Sequence, residues 1–367
     1  MKVLFVFGTR PEGIKMAPII KEIEKREDLE SYTCVTGQHR EMLDQVLEIF
    51  DIEPDYDLNI FKKGQSLTDV TTRTLLGLED ILDELKPDIL LVQGDTTTVF
   101  AAALAAFYKK IKIGHVEAGL RSGNLYSPYP EEANRKLTGV LSNYHFAPTE
   151  SNRQNLLREG YNDKNIFITG NTVIDALKYS VKEDFLFDDE ILNNLDYNKD
   201  VVLLTAHRRE NWGEPMENIF SAIRQVVLER ENIEIVFPIH LNPIVRNTAK
   251  KYFSDLDRVH LIEPLSYLHF SNLMARVKFV VTDSGGVQEE APALGKPVLV
   301  LRNETERMEG VEAKTAKLVG TNSQDVYDSI ISLLDDKNLY EEMAKAVNPY
   351  GDGHAAKKIV DILEKMN

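Results

Sequence analysis

The chain has 367 residues, of which 43% are hydrophobic and 28% are charged, values typical of a globular protein long enough for two domains. Acidic residues outnumber basic ones by 59 to 43, and no apolar run approaches the ~18 residues of a membrane span, so neither nucleic acid nor a membrane is an expected partner. The single cysteine, Cys34, excludes an intrachain disulfide and a zinc site of several cysteines, and it favours a reducing, cytoplasmic setting.

The first half of the chain alternates short apolar runs with helical patterns. Strands are predicted at 2–7, 32–36, 88–93, 111–116, 143–147 and 166–168, and helices at 14–26, 39–50, 68–85 and 97–108. Strands separated by helices of this length indicate βαβ units, and right-handed crossovers arrange such units as a doubly wound parallel sheet.

The same pattern begins again after a polar stretch at 182–200, which predicts a linker near 170–200. The second group of strands is predicted at 201–205, 233–239, 259–262, 278–282 and 297–301. We therefore predict an α/β protein with two Rossmann-like domains, 1–170 and 171–351, whose parallel sheets face a cleft. A last helix is predicted in the segment 352–367 after the breaker cluster "NPYGDG", and we expect it to pack back onto the first domain.

Functional side chains are sought directly after strands, because open parallel sheets bind ligands at the carboxyl ends of their strands. The strand 278–282 ends in "DSGG", and a helix follows. The amides of Ser284, Gly285 and Gly286 suit a phosphate group. Glu290 leans back toward the same point, where a carboxylate suits a ribose diol. The turn thus predicts a site for a nucleotide diphosphate, although short glycine motifs also begin ordinary amphipathic helices.

Cations follow two other strands. Arg10 and Lys15 stand at the start of the first helix, where positive charge is unfavourable unless an anion lies there. His207 comes directly after the strand 201–205 and precedes two arginines, so it suits a general acid or a donor to phosphate. Surface cations and a structural histidine are the simpler alternatives.

Three carboxylates occupy matching places after strands or at helix starts, namely Asp95, Glu117 and Glu131. Asp95 could instead be the N-cap of the helix 97–108, and Glu131 could be an ordinary acid of a first helical turn. Glu117 ends an apolar strand and is followed by Ala-Gly, so it has no capping role. Together the three predict a carboxylate cluster for positive charge that develops on a sugar ring.

Other chemistries lack their sequence patterns. No G-x-G-x-x-G follows a strand and no Walker A loop is present, so neither a nicotinamide cofactor nor a P-loop is expected. The histidines and carboxylates show no metal-ligand spacing, and no metal is expected. We do not expect "DYD" at 55–57 to end a strand, and we do not interpret it as a metal site.

Eight stretches, in order along nearly the whole chain, carry a resemblance to one family. They are "GTRPEGIKMAP" (8–18), "TGQHREMLDQ" (36–45), "GDTTT" (94–98), "GHVEAGLRSG" (114–123), "YPEEANR" (129–135), "TAHRREN" (205–211), "DSGGVQEEAP" (283–292) and "NPYGDG" (348–353). On these residues the chain resembles the non-hydrolysing UDP-N-acetylglucosamine 2-epimerases. The resemblance implies a fold of the GT-B glycosyltransferase type, a homodimer, and interconversion of UDP-GlcNAc and UDP-ManNAc without NAD or metal. It also implies that UDP is eliminated to 2-acetamidoglucal and added back, and that the product provides ManNAc units for polysaccharide or glycan synthesis.

The resemblance further implies roles for individual residues. The implied catalytic group is Asp95, Glu117, Glu131 and His207. The implied ligands of the UDP-sugar are Arg10, Lys15, His207, Phe270, Ser284, Gly285, Gly286, Glu290 and Arg307. Glu290 is expected on the ribose and Phe270 near the uracil. Gln38 and His39 match a second, activating substrate site of bacterial members, but Glu41 and Gly64 depart from that site's pattern and leave activation open.

Two other classes of function share the fold and the nucleotide site. A hydrolysing UDP-GlcNAc 2-epimerase releases free ManNAc, and a GT-B glycosyltransferase passes the sugar to an acceptor. A third alternative, a nucleotide-sugar binder without catalysis, has no use for the three carboxylates. We therefore expect the non-hydrolysing epimerase.

Overall fold

The computed structural model describes residues 1–38 and 40–366. The chain divides into two compact units. The first unit is Met1–Tyr179 together with the C-terminal residues from Tyr350 onward, and the second unit is Ser180–Pro349. Within the described residues, none of the helices combines the length and the apolar character that crossing a bilayer requires.

Each unit contains one parallel β-sheet. The strands of the first unit are β1 (Lys2–Phe7), β2 (Glu30–Val35), β3 (Tyr56–Asp57), β4 (Ile89–Gln93), β5 (Lys112–Val116), β6 (Tyr144–Ala147) and β7 (Ile166–Ile168). Those of the second unit are β8 (Asp200–Thr205), β9 (Ile233–Pro238), β10 (Val259–Ile262), β11 (Phe279–Thr282), β12 (Val298–Val300) and β13 (Ala316–Leu318). In the described residues the strand orders are β3-β2-β1-β4-β5-β6-β7 and β10-β9-β8-β11-β12-β13, so both sheets are doubly wound.

Helices alternate with these strands along the chain. The first unit begins with α1 (Arg10–Ile23), α2 (Arg40–Ile49), α3 (Leu67–Leu85), α4 (Thr97–Tyr108), α5 (Glu131–Leu141), α6 (Glu150–Arg158) and α7 (Thr172–Ser180). The second unit contains α8 (Glu190–Asn194), α9 (Glu214–Glu229), α10 (Pro243–Phe253), α11 (Tyr267–Arg276), α12 (Val287–Ala293), α13 (Met308–Glu312), α14 (Ser323–Asp335) and α15 (Lys337–Lys345). The last helix, α16 (Ala355–Glu364), belongs to the first unit. Such crossover helices are the usual connection between parallel strands.

Strand β1 shows how the sequence produces a central strand. Its side chains are buried except at Lys2, and it pairs with β2 on one side and β4 on the other. A strand covered on both faces has a continuous apolar run rather than an alternating one. Helix α1 begins directly after it, because Glu12 accepts a hydrogen bond from the backbone of Thr9 and Pro11 suits the first helical turn.

An aromatic cluster holds two helices on the second sheet. Phe220 of α9, Phe237 of β9 and Phe253 of α10 are almost completely buried. The ring centroid of Phe220 lies 5.6 Å from that of Phe237 and 5.0 Å from that of Phe253. Aromatic contacts of this kind contribute about 0.5–1.5 kcal/mol each beyond the buried area. The helices α9 and α10 are therefore packed against β9 through buried aromatic rings.

The predicted fold class is confirmed, since both units are α/β and both sheets are parallel and doubly wound. The expectation that "DYD" ends no strand is wrong, because Tyr56 and Asp57 form β3 and pair with the end of β2. The apolar pattern also misses β13, which has only three residues and includes Lys317. The first helix begins at Arg10 rather than at 14, because proline and a first-turn acid replace an apolar pattern there.

The C-terminal helix α16 packs against α1 in the first unit. Arg26 Nη2 donates to Asp361 at 2.7 Å. Asp175 of α7 accepts hydrogen bonds from the amides of Ala355 and Ala356 at 3.1 and 3.0 Å. A carboxylate from a distant helix thus satisfies the free amides that open α16.

Candidate active site

Each sheet reverses its strand order at one point, between β1 and β4 in the first unit and between β8 and β11 in the second. Open α/β sheets bind ligands at such switch points, beyond the carboxyl ends of the strands. The residues predicted to be functional divide between the units. In the first unit they are Arg10, Lys15, Asp95, Glu117 and Glu131, and in the second they are His207, Phe270, Ser284, Gly285, Gly286, Glu290 and Arg307.

Glu117 follows β5 directly and has a left-handed backbone, with φ of 62°, which is uncommon for residues other than glycine. Its Oε2 accepts hydrogen bonds from Lys15 Nζ at 2.5 Å and from the side chain of Gln93. Its Oε1 accepts from Asn171 Nδ2 at 3.3 Å. The side chain is 11% exposed, so nitrogen donors hold a nearly buried carboxylate in one orientation. Strained backbone of this kind clusters at functional sites, where the surrounding structure fixes it.

Asp95 follows β4 and is held by helix α5. Its Oδ2 lies 2.6 Å from Arg135 Nη2, and Asn134 Nδ2 donates to its backbone carbonyl at 2.9 Å. Arg135 also lies 3.1 Å from the carboxylate of Glu132, whose side chain is fully buried. The alternative interpretation of Asp95 as a helix cap is wrong, because Thr96 is the N-cap of α4. The side chain of Asp95 is therefore available for another role, and Arg135 fixes its direction.

Glu131 and Arg10 are the first residues of α5 and α1, and both are partly buried. In the described part of the chain, neither side chain has a hydrogen bond or an ion pair. Glu131 and Arg135 are four residues apart, so they share the face of α5 that contacts Asp95. A partly buried charge without a partner is unfavourable, and a bound ligand of opposite charge would remove that cost.

Glu12, which no sequence pattern singles out, joins the two loops at the first switch point. Its Oε2 accepts from Gly8 N at 3.0 Å and from Thr9 N and Oγ1, both at 2.7 Å. Its Oε1 accepts from Thr96 Oγ1 at 2.7 Å. The carboxyl group is 2% exposed, and burial raises its pKa although the hydrogen bonds oppose that shift. Glu12 thus fixes the β1–α1 loop against the β4–α4 loop.

Asp283 has the corresponding place in the second unit, where it follows β11 and is fully buried. Its Oδ2 accepts from the backbone amides of His207 and Arg208 at 2.8 and 2.9 Å, and from Asn211 Nδ2 at 3.1 Å. Its Oδ1 lies 3.1 Å from His207 Nδ1. Burial opposes ionisation of Asp283, but the donors of His207 and Arg208 outweigh it and lower the pKa of this carboxyl group. The ring of His207 is 41% exposed and stacks on His240, with centroids 5.7 Å apart.

The glycine turn between β11 and α12 begins at Ser284. A Cβ atom at Gly285 would lie 2.6 Å from Arg307 Nη1, so glycine is required for the guanidinium to lie against the turn. A Cβ atom at Gly286 would lie 3.4 Å from Glu290 Oε1, which shows that Glu290 leans back over the turn. The amide of Ser284 already donates to Thr282 Oγ1 at 2.9 Å, so the expectation that it faces the ligand is not met. The turn presents the amides of Gly285 and Gly286 together with one cation and one carboxylate within a small region.

Two carboxylates fix the direction of Arg307. Its Nε donates to Glu289 Oε1 at 2.6 Å, and its Nη1 donates to Glu306 Oε1 at 2.5 Å. Glu306 also accepts from Arg302 Nη1 at 2.9 Å. Burial opposes ionisation of Glu306, but Arg307 and Arg302 outweigh it and lower its pKa to about 2. The charge of Arg307 is thus held beside the glycine turn rather than free in solvent.

The remaining predicted residues lie farther from these contacts. Phe270 is partly exposed on the first turn of α11, and none of the contacts between described residues joins it to the glycine turn. Gln38 follows β2, and its Oε1 accepts from Thr98 Oγ1 at 2.8 Å. His39 and the side chain of Glu41 lie outside the described residues. Among residues 1–38 and 40–366, no three His, Cys, Asp or Glu side chains are grouped as a metal site requires.

Several polar residues contact the predicted set without being predicted themselves, among them Gln93, Arg135 and Asp283. Gln93 is the polar last residue of the otherwise apolar strand β4. Glu117 was predicted from the same kind of signal, a polar residue at the end of an apolar strand. Asp283 directly precedes the glycine turn. The residue types and places were therefore visible in the sequence, but their partners lie far away along the chain and depend on the folded sheet.

Several known proteins resemble this chain in sequence and in fold. The profile of the UDP-N-acetylglucosamine 2-epimerase family matches residues 21–364. The UDP-N-acetylglucosamine 2-epimerase of Bacillus subtilis (strain 168) is 55% identical over 363 residues, which cover 99% of this chain and 95% of the relative. The UDP-GlcNAc 2-epimerase from Neisseria meningitidis bound to UDP-GlcNAc is 52% identical, with a TM-score of 0.89 and 100% of both chains covered. An S. aureus MnaA–UDP co-structure is 51% identical, with a TM-score of 0.87, and the match covers 100% of this chain and 96% of that one.

Proposed function

Because the chain belongs to the UDP-N-acetylglucosamine 2-epimerase family, we propose that it interconverts UDP-GlcNAc and UDP-ManNAc without hydrolysis. A similar protein from Neisseria meningitidis binds UDP-GlcNAc, which supports this substrate. The observation that carries the proposal is the carboxylate of Glu117, held by Lys15, Gln93 and Asn171 in a strained backbone position after β5. A fixed, nearly buried carboxylate at this edge of the sheet suits a proton transfer.

The proposed reaction is an elimination followed by an addition. The C2 proton of the sugar is not next to a carbonyl group, so a base alone removes it very slowly. When the C1–O bond breaks, both electrons leave with UDP, and the positive charge that develops at C1 acidifies the C2 proton. A carboxylate then takes this proton and leaves 2-acetamidoglucal. UDP adds back to C1 while a proton is delivered to the opposite face of C2, so the reaction needs no oxidant or reductant.

We assign the sugar chemistry to the first unit. Its carboxylates Asp95, Glu117 and Glu131 stabilise positive charge at C1 and carry the C2 proton. Arg135 holds Asp95 at 2.6 Å and Lys15 holds Glu117 at 2.5 Å. Charge that is oriented before the reaction stabilises a transition state without a reorganisation cost, which makes these ion pairs part of the proposed mechanism.

We assign the binding of UDP mainly to the second unit, and a co-structure of a similar protein with UDP supports this ligand. The amides of the glycine turn and the fixed guanidinium of Arg307 suit the diphosphate. Glu290 leans over the turn and accepts from the ribose hydroxyls, while His207 donates to the leaving phosphate. The complete proposed set of UDP contacts is Arg10, Lys15, His207, Phe270, Ser284, Gly285, Gly286, Glu290 and Arg307.

Incubation with UDP-GlcNAc in deuterated water, followed by proton NMR, tests the proposal. We expect UDP-ManNAc that carries deuterium at C2, because the removed proton exchanges with solvent before the addition. UDP-ManNAc with hydrogen at C2 would contradict the elimination mechanism. Release of free ManNAc would identify a hydrolysing epimerase instead. Bound UDP-GlcNAc without any conversion would favour a glycosyltransferase that lacks its acceptor, or a binding protein.

We also propose that the enzyme is a homodimer. Helices α3, α4 and α5 pack side by side, and they carry large apolar side chains that are mostly exposed. These are Leu76, Phe107, Tyr108 and Val140, exposed by 71%, 54%, 68% and 73%. Apolar surface of this kind often marks an interaction site. Analytical ultracentrifugation should give twice the chain mass of 41.7 kDa, and Leu76→Asp with Val140→Asp should give the single-chain mass. A wild-type sample at the single-chain mass would contradict the proposal.

We place the reaction in the cytoplasm, as the composition suggests. Cys34 is a buried free thiol, so no disulfide contributes to this fold. The product would provide ManNAc units for the synthesis of a surface polysaccharide or another glycan.

A further inference from the structure

We propose that Asp283 is a positioning residue that directs His207 toward the diphosphate. Its carboxylate would hold the proton of His207 on Nδ1, so that Nε2 faces the ligand. The inference rests on the proposed epimerase function, which supplies the diphosphate. It concerns a residue that contacts the imidazole rather than the substrate.

One oxygen of Asp283 has a structural task. Its Oδ2 accepts from the amides of His207 and Arg208 at 2.8 and 2.9 Å, and from Asn211 Nδ2 at 3.1 Å. These bonds tie the loop after β8 to the loop after β11. They fix the backbone of His207, but they leave the direction of its ring undetermined.

The other oxygen provides the direction of the ring. Oδ1 of Asp283 is buried, and it accepts no well-aligned hydrogen bond from the described residues. The distance from Oδ1 to His207 Nδ1 is 3.1 Å. A buried carboxylate oxygen without a donor is costly, so this contact strongly favours a proton on Nδ1. The lowered pKa of Asp283 is consistent with a carboxylate that stays ionised opposite this ring.

A proton fixed on Nδ1 determines what the other side of the ring can do. In the neutral ring Nε2 is then an acceptor, and after protonation it becomes a donor that points away from Asp283. When the C1–O bond breaks, negative charge develops on a phosphate oxygen, and an Nε2 proton can stabilise it. The proton stays on Nε2 as a hydrogen-bond donor while UDP leaves and adds back, so this step transfers no atom.

Other groups around His207 do not offer the same control. His240 stacks on the ring at 5.7 Å between centroids with an interplanar angle of 20°, so it limits tilting but does not face Nδ1. Arg208 lies 3.7 Å from Glu210 and 3.8 Å from Glu306, so its charge is directed to carboxylates. Asp283 is therefore the group that sets the tautomer.

The variant Asp283→Asn separates orientation from folding. Its amide oxygen can take the place of Oδ2 and accept from the backbone amides of His207 and Arg208. Its NH2 group then stands where Oδ1 was, and donates to Nδ1 instead of accepting from it. The loops stay joined, but the ring is driven into the opposite tautomer.

The test uses the full chain with 15N-labelled histidine. At a pH where His207 is neutral, NMR should show the proton on Nδ1 in the wild type and on Nε2 in Asp283→Asn, with the signal assigned through His207→Gln. In the epimerase assay kcat should fall by about 10²-fold or more, while KM for UDP-GlcNAc should stay within about threefold. A wild-type proton on Nε2 would overturn the inference, and this measurement does not require the variant to fold.

Asn211→Ser is the matched control. It removes another hydrogen bond to Oδ2 but leaves Oδ1 opposite His207. A purely structural role for Asp283 predicts equal losses of kcat in both variants, and that result would contradict our inference. We expect kcat of Asn211→Ser within about threefold of the wild type. If the wild type makes no UDP-ManNAc, the epimerase proposal fails, whereas the NMR measurement still decides whether Asp283 sets the tautomer.

Discussion

In each unit, one buried carboxyl group joins the two loops at the switch point. This group is Glu12 in the first unit and Asp283 in the second. Glu12 accepts hydrogen bonds from the backbone beside it and from Thr96 of a second loop. Asp283 accepts its hydrogen bonds from the loop after β8. Their exposed fractions are 2% and 0%. The two groups therefore have the same architectural task, and the differences between them arise from their donors.

The donors of Glu12 in the described residues are amides and threonine hydroxyls, and burial raises its pKa. Asp283 has His207 Nδ1 opposite its second oxygen, and its pKa is lowered although burial opposes this. A titratable donor thus turns a structural carboxylate into one that can orient a functional group. In the first unit the charges assigned to chemistry lie on separate side chains, of which Glu117 is the best fixed.

The largest expected effect tests whether the sugar chemistry belongs to the first unit and UDP binding mainly to the second. Glu117→Gln should lower turnover by at least about 10³-fold, because the amide cannot take the C2 proton. The affinity for UDP, measured by calorimetry, should stay within about threefold, since its contacts are assigned mainly to the second unit. The amide oxygen can still accept from Lys15, so the fold should be retained.

Glu24→Gln is the control for this variant. Glu24 is another glutamate of the first unit with a lysine partner, Lys21 at 3.1 Å, but its side chain is 46% exposed. Its replacement should leave turnover unchanged. Near-normal turnover in Glu117→Gln would remove Glu117 from the mechanism. A loss of UDP affinity as large as the loss of turnover would contradict the assignment of UDP binding mainly to the second unit.

A smaller effect is expected at the glycine turn. Glu290→Gln should weaken UDP binding about tenfold, the loss of roughly 1.4 kcal/mol expected when a charged acceptor of two hydroxyls becomes a neutral amide. With 2′,3′-dideoxy-UDP, which lacks both hydroxyls, wild type and variant should bind alike. Calorimetry measures both ligands, and Glu304→Gln, an exposed glutamate of the same unit, should change neither value. A tenfold loss that persists with the dideoxy ligand would place Glu290 elsewhere than on the ribose.

Most of the strands and several of the candidate site residues could be predicted from the sequence. Buried parallel strands appear as continuous apolar runs, and a polar residue directly after such a run is easily seen, as with Glu117 and the glycine turn. The short strands β3 and β13 carry too few apolar residues to be seen. The N-cap of α4 is Thr96 rather than Asp95, and sequence patterns do not fix a helix start to within one residue.

The two joining carboxylates could not be predicted in the same way. Glu12 has the position of an ordinary first-turn acid, and its burial depends on Thr96, which belongs to a loop after another strand. Asp283 is visible beside the glycine turn, but its contact with His207 exists only because β8 and β11 pair in the sheet. Local spacing reveals which residue types are present, whereas the donors that decide their pKa values come from tertiary structure.

The smallest expected effect distinguishes the two carboxyl groups by the pH dependence of stability. The pKa of Glu12 is raised in the folded protein, so above pH 4.5 the native state keeps a proton on this carboxyl group that the unfolded state loses. The contribution of Glu12 to stability is therefore complete below pH 4.5, and it is lost as pH rises from 4.5 through the native pKa. The pKa of Asp283 is lowered, so its contribution is complete above 3.8 and is lost as pH falls through its native pKa. Urea unfolding across this range should therefore show Glu12→Gln gaining stability relative to the wild type as pH rises above 4.5. Asp283→Asn should instead lose stability relative to the wild type as pH rises toward 3.8. Slopes of the same sign in the two variants would mean that the donors around these carboxyl groups do not differ in the way the structure indicates.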